Sequence, residues 1–279
     1  VNMPQQNWYS SDGHLHNARP TPELNPYISK IMQAEDIHVA NLLQFGRADR
    51  FHYAIQYAHG PDGQYINDNY ILATGQENPR THFLGHSIAL GLHTPIHFAD
   101  EYLIYRKFWE GTRQQDGLTG HAHLGGAYPD DISGQYGLPI VAPYDLLNFI
   151  EVIQFSRAFY DTWYDLLNLG FRITPTGGSD YPCGRGDIPG RERFFVKIEG
   201  ELSYDGWIDA VRDGKTFVTN GPMLQFQVND QEMGGELHVE KGSNVLIKGS
   251  VIFDPKQEDM LRLEVIEGGV AVHSFPRSD

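Results

Sequence analysis

Asp12-Gly13-His14-Leu15-His16 is the stretch whose pattern decides the fold. It closes a strand-like run that starts at Trp8. Side chains in a strand alternate faces, so His14 and His16 project to one side while Leu15 packs to the other. Two neutral imidazoles on one face can both donate lone pairs to one divalent ion, at N-to-metal distances of about 2.0–2.1 Å. Asp12, two residues before His14, is positioned to orient that histidine from behind.

Working outward, strand-like and helix-like segments alternate to about residue 220. Thr21-Pro22-Glu23 opens a helix, with Thr21 as N-cap and Pro22 at the first helical position. Residues 37–45, 70–74, 83–92, 118–123, 150–155, 173–176 and 194–198 read as strands. Helices are expected over 98–114, over 159–169 with Gly170 as C-terminal cap, and over 202–212. This alternation predicts an α/β fold of parallel strands with crossover helices, its chemistry at the strand ends. After Thr219-Asn220-Gly221-Pro222 the pattern changes to short strands without a helix: 223–228, 245–253, 261–266 and 270–272. Two units are therefore expected, a barrel over 1–220 and a small antiparallel β-unit over 221–279 that reads as truncated.

Composition narrows the function. With 279 residues, 40% hydrophobic and 12% aromatic, the chain can bury a full core. It has no run of 18 apolar residues, so no membrane span is expected. No leader sequence is evident, and the chain begins at Val1 with both ends resembling cuts from something longer. The expectation is a soluble protein, cytoplasmic or exported. A formal charge of −15 with only 21 Lys and Arg argues against nucleic acid and against an anionic membrane as partner. A small-molecule substrate is expected instead, with the oligomeric state left open. The single Cys183 excludes an intrachain disulfide and reads as a packing residue.

Four further segments join His14 and His16. Gly75-Gln76-Glu77 ends a strand with a carboxylate, and Leu84-Gly85-His86 places a histidine in the next strand. His121-Ala122-His123 precedes a glycine turn, and Thr176-Gly177-Gly178-Ser179-Asp180 ends another strand with a carboxylate. Singly, Glu77 reads as a surface charge, Asp180 as a helix cap or Asx-turn, and His86 as a core histidine. Together, in order and at strand ends, they read as the ligand set of a multinuclear metal site.

At these residues the chain resembles the polymerase-and-histidinol-phosphatase (PHP) superfamily. Within it the chain is most similar to the CehA/McbA-type metallohydrolases, the group named for carbaryl (carbamate) hydrolases. The stretches Trp163 to Arg172 and Arg212 to Pro222 extend the likeness over most of the chain. The resemblance implies a distorted, TIM-like (β/α)7 barrel and a metal-dependent hydrolase. It implies that His14, His16 and Asp180 hold one metal, and that Glu77 bridges to a second held by His86 and His123. His123 is preferred over His121 because the motif's histidine sits just before the glycine turn; His121 then becomes a substrate-side or catalytic group. The superfamily's Asp-His pair after the second strand is absent, where this chain has Asn41 to Gly46. Pro182 stands where another histidine is expected. Both losses fall on a third metal position, so one or two divalent ions (Zn, Mn or Fe) are expected as cofactor.

The implied chemistry is a metal-bound hydroxide attacking a phosphoester, carbamate or related ester or amide, with Asp180 handling the proton. His121, Arg157, Tyr181 or Arg185 would stabilise the developing charge. Two rivals make other expectations. A non-catalytic PHP-like binding module would keep the barrel without turnover, and a cupin-like mononuclear Fe oxygenase would be an all-β barrel.

Overall fold

The computed structural model describes residues 2–124, 135–183, 188–256 and 260–277. Strand β1 (Trp8–Leu15) is buried along its whole length and leads through a 3-10 turn at Pro22–Leu24 into α1 (Asn25–Ala34). Then come β2 (Val39–Arg47), β3 (Arg50–Tyr53), β4 (Tyr65–Asn67), β5 (Tyr70–Thr81) and β6 (Gly85–Leu90). After α2 (Tyr105–Arg113) follow β7 (Leu118–His121), the single turn α3 (Leu138–Val141), β8 (Phe149–Gln154) and β9 (Arg157–Ala158). The helix α4 (Tyr160–Asn168), β10 (Thr174–Gly177), β11 (Arg193–Lys197), α5 (Tyr204–Arg212) and β12 (Thr216–Thr219) complete this part. Beyond it lie β13 (Met223–Val228), β14 (Gln231–Glu232), β15 (Ile247–Ile252), β16 (Arg262–Glu267) and β17 (Val270–Pro276).

Along the main sheet the order is β10-β8-β7-β6-β5-β2-β1-β11-β12. The sheet is mixed and curls into a half-barrel. Its two ends approach each other, with Thr216 Oγ1 donating to the Pro175 carbonyl at 2.9 Å. The expected parallel pairing holds for β1–β2, β2–β5, β7–β8 and β8–β10. It fails for β5–β6, β6–β7, β1–β11 and β11–β12, which are antiparallel. Only residues 82–84 join β5 to β6, and a parallel crossover needs a dozen or more. The helix expected over 98–114 is also shorter, a 3-10 turn at Ala99–Glu101 and then α2.

Alternation along the strands sorts side chains to two faces. Leu15, Ala40, Leu42 and Leu72 point outward and pack with Ile28 and Met32 of α1. On the concave face, Tyr9, Val39, Leu43, Ile88 and Phe194 pack around Tyr204, Trp207 and Val211 of α5. Trp207, fully buried, donates through Nε1 to Ser11 Oγ at 2.8 Å, and Tyr204 donates to Asn41 Oδ1 at 2.7 Å. The helix thus plugs the curled sheet beneath the site. Ser203 caps its first turn by accepting from the Gly206 N–H at 3.1 Å.

The strands after residue 221 are antiparallel, in a three-stranded and a two-stranded sheet. Met223, Leu224 and Met233 pack against an apolar cluster of Met3, Trp8, Phe195 and Phe217. The helices on the main sheet are incompatible with an all-β cupin barrel. No helix among the described residues is long and apolar enough to cross a membrane.

Candidate metal centre

The carboxyl ends of β1, β5, β7 and β10 and the start of β6 bring six side chains together. His14 and His16 share a face by strand alternation, and the register shift between Asp12 and Leu15 turns that face to the side where Tyr9 and Ser11 meet α5. Asp180 follows β10, held by its own N–H donating to the His14 carbonyl at 2.9 Å. The His16 N–H donates to the Tyr181 carbonyl at 2.6 Å, so the two ligand segments are laced by their backbones. Potential ligand atoms of His14, His16 and Asp180 lie within 4.8 Å of one another, and so do those of Glu77, His86 and His123. Both groups match the two sets expected from the sequence. Asp180 (φ 56°) and His123 (φ 20°) sit in the left-handed backbone region, strain of a kind that collects at functional sites.

The ring nitrogens are already assigned. The Leu43 carbonyl can only accept, so His16 donates to it through Nδ1 at 2.8 Å. His14 donates through Nδ1 to the Glu151 carboxylate at 3.0 Å. In the neutral rings both Nε2 atoms therefore carry lone pairs, and these face each other across 3.1 Å. Glu77 Oε2 lies 3.2 Å from His16 Nε2 and is a buried oxygen without a hydrogen bond of its own. The two facing lone pairs repel one another unless a cation or a proton lies between them, and Glu77 Oε2, with the Arg80 guanidinium 3.0 Å away on its other side, adds a third donor. The donor set fits a divalent metal.

The charge pattern agrees. Burial opposes a charge on Glu77, but His86 and His14 beside it outweigh burial and hold the carboxyl well below its usual range. Burial likewise opposes a charge on His14, and Glu151, Asp180 and Glu77 overcome it, raising the imidazole well above 6.5. Asp180 is lowered in the same manner, its burial outweighed by His14 and His16. Burial, with His86 nearby, pushes His123 down to about 3, which leaves that ring neutral and its lone pair free.

Other expected residues lie elsewhere or act differently. His121 is buried with its ring nitrogens 3.1 Å from the Ala122 and Leu84 carbonyls, and burial pushes it down to about 4. The structure does not bring it into the cluster, because its ring turns toward the backbone of the β6 edge. Asp12 does not touch the His14 ring. It accepts from the backbone N–H of His14, Ser179 and Gly190 and from Ser179 Oγ, clamping the backbone that carries the ligands. Tyr181 serves through its carbonyl, while its side chain packs against the apolar cluster that includes Leu15 and Met32. Arg157 sits on β9 opposite Gln154. Arg185 lies outside the described residues.

Sequence reasoning missed two residues. Glu151 of β8 takes the His14 Nδ1–H and also the His123 backbone N–H, at 3.0 Å, so one carboxylate ties the two groups together. Its signal was a carboxylate inside the apolar run Phe149-Ile150-Glu151-Val152-Ile153, where a buried charge needs a partner. Arg80, three residues past Glu77, places Nε 3.0 Å from Glu77 Oε2.

No family model and no curated protein matches the chain. Solved structures do. A two-domain protein containing a predicted PHP-like metal-dependent phosphoesterase from Bacteroides vulgatus aligns with TM-score 0.52 and 15% identity over 76% of this chain. The fold is PHP-like. The chain spans 64% of the length of that PHP-like neighbour. PsfC from Pseudomonas syringae aligns at TM-score 0.48 and 14% identity, over 76% of this chain and 91% of its own. Lesion-specific endonuclease Q from Pyrococcus furiosus aligns at 0.45 and 14%, covering 76% of this chain and 57% of that one. An endonuclease Q complex with a 27-mer duplex substrate bearing an abasic lesion aligns at 0.42 and 13%, covering 74% and 56%. The exclusion of nucleic acid drawn from net charge is corrected here, since endonucleases stand among the matches. Net charge sums the whole surface, whereas a phosphate backbone meets only a local field. A nucleic-acid partner therefore stays open.

Proposed function

We propose that the chain is a metal-dependent hydrolase of the PHP type, with His14, His16 and Asp180 holding one divalent ion. Glu77, His86 and His123 would hold a second ion. The observation that carries this is the facing pair of imidazole Nε2 atoms, 3.1 Å apart, with both Nδ1 atoms already spent on Leu43 and Glu151. Such a pair supplies a Lewis acid and a water acidified from about 15.7 toward 7. Zn, Mn and Fe all suit its mixed nitrogen and oxygen ligands.

The chain's own residues divide the remaining work. Leu43 and Glu151 fix the ring orientations of His16 and His14. Asp180, its side chain 12% exposed at the rim, turns Oδ1 to His16 Nε2 at 3.1 Å, where the ion would be held, which leaves Oδ2 to take a proton and return it to a leaving group. Glu77, its side chain 1% exposed, lies too deep for that exchange.

Within the superfamily the motif likeness favours the CehA/McbA type, and the curled sheet is a distorted relative of that family's (β/α)7 barrel. Hydrolysis of a phosphoester, carbamate or related ester follows as the activity class. Residues 1–220 form the hydrolase unit and 221–279 a β-appendage. The test is elemental analysis of wild type and the His14→Ala/Asp180→Ala double variant, then a screen of aryl phosphoesters, carbamates and esters. About two equivalents of metal in wild type, lost in the variant together with turnover, is the expected result. A wild-type protein that takes up no metal at neutral pH refutes the proposal.

A further inference from the structure

Arg80 carries a cation to the edge of a site built to hold cations, which calls for an explanation. Residues three apart on a regular strand face opposite ways. Between Glu77 and Arg80 the β5–β6 ladder slips register, and this irregularity turns both side chains to the same side. Arg80 stands opposite His86 in that ladder. Its guanidinium lies over the Phe45 ring at 3.8 Å, with Nε 3.0 Å from Glu77 Oε2 and 3.4 Å from His86 Nδ1. The Arg80 N–H donates to the Tyr102 hydroxyl at 2.9 Å, which pins the backbone. Among the described residues the two terminal nitrogens make no hydrogen bond, and the side chain is 27% exposed.

A guanidinium fixed on one edge by a carboxylate and on its face by an aromatic ring keeps its outer edge for a planar pair of oxygens. Beside bound metals it is repelled, so its position makes sense when an anion lies between. We infer that Arg80 is a specificity-determining residue, which grips an anionic oxygen pair of the substrate and makes the site select anionic over neutral substrates. This rests on the metal-dependent hydrolase proposed above and adds its selectivity. The chemistry it recognises is a phosphoryl group, whether terminal on a small ester or internal in a nucleic-acid strand.

The test is calorimetric titration of the metal-loaded wild type, Arg80→Ala and Arg80→Lys with inorganic phosphate, alongside elemental analysis of each. Loss of a charged hydrogen-bonding edge is expected to weaken phosphate binding by roughly 10–100-fold in Arg80→Ala, with partial recovery in Arg80→Lys. Metal content stays unchanged and binding of neutral phenyl carbamate moves less than about twofold. Phenyl phosphate and a single-stranded oligonucleotide, titrated in parallel, separate a terminal phosphoryl group from an internal phosphodiester. Arg80 dependence in either one supports the inference. If Arg80 only neutralises Glu77, Arg80→Ala alters metal affinity and leaves phosphate binding by the loaded protein as it was, and the inference is overturned. A wild type without metal removes the hydrolase proposal and this inference with it, whereas a metal-loaded Arg80→Ala with unchanged phosphate binding removes the inference alone.

Discussion

Glu151→Gln isolates one charge while keeping its shape. In the native protein Glu151 Oε2 accepts from both His14 Nδ1 and the His123 N–H at 3.0 Å, and Oε1 lies 3.2 Å from His14 Nδ1. Glutamine keeps one acceptor oxygen, which at the Oε2 position still satisfies both donors. Its NH2 group then takes the Oε1 position and faces the His14 Nδ1–H, donor against donor. The ring escapes by moving its proton to Nε2, which removes the lone pair aimed at the site. Loss of such a carboxylate–histidine pair lowers metal affinity about 10–100-fold, roughly 1.4–2.8 kcal/mol. The assay is competition with a fluorescent chelator for zinc, with the urea midpoint followed in parallel to show that the fold persists. Affinity within twofold of wild type for both ions would refute the assignment of the His14 tautomer, and with it the argument from facing lone pairs.

Three other outcomes are expected. A methyl group at Gly178 meets His14 Cβ at 2.4 Å and Glu151 Oε1 at 2.7 Å, so Gly178→Ala should cost about 1–3 kcal/mol and displace His14. Urea unfolding and zinc titration report the two effects, and a variant unchanged in both contradicts the packing described. Burial, and then Arg19, lowers His59 to about 4, so the folded chain resists a proton that the unfolded chain accepts below 6.5. Stability from His59 is present above pH 6.5 and lost as pH falls through about 4, a difference of roughly 3 kcal/mol. His59→Gln should flatten that part of the pH profile of urea midpoints, and a profile as steep as wild type argues against it. Chelation should lower the melting temperature of the loaded protein by about 5 °C, because metal binds the folded state alone. Scanning calorimetry with and without EDTA checks this, and coincident transitions would count against a preformed site.

The side chains that gather at the candidate centre were legible because each rests on a local rule. His14 and His16 share a face through strand alternation, while Glu77, His86, His123 and Asp180 stand at strand ends beside glycines. The antiparallel β5–β6 pair was legible too, since three linking residues forbid a crossover, yet the expectation of uniform α/β alternation hid it. The acidic total misled on nucleic acid, because a sum over the chain carries no positions. His121 misled because two histidines on one strand look alike until a backbone carbonyl is found for one of them.

The sequence by itself determined which residues have metal-binding chemistry and that His14 and His16 share a face, for periodicity and residue type are properties of a few neighbouring positions. Only the tertiary structure decided that Glu77 Oε2 comes within 3.2 Å of His16 Nε2, that Glu151 lies behind His14 from 137 residues away, and that a register slip turns Arg80 toward the centre. Those facts depend on how the sheet curls and how its strands align. Both are set by packing of distant segments, such as α5 beneath the site, which no local pattern encodes.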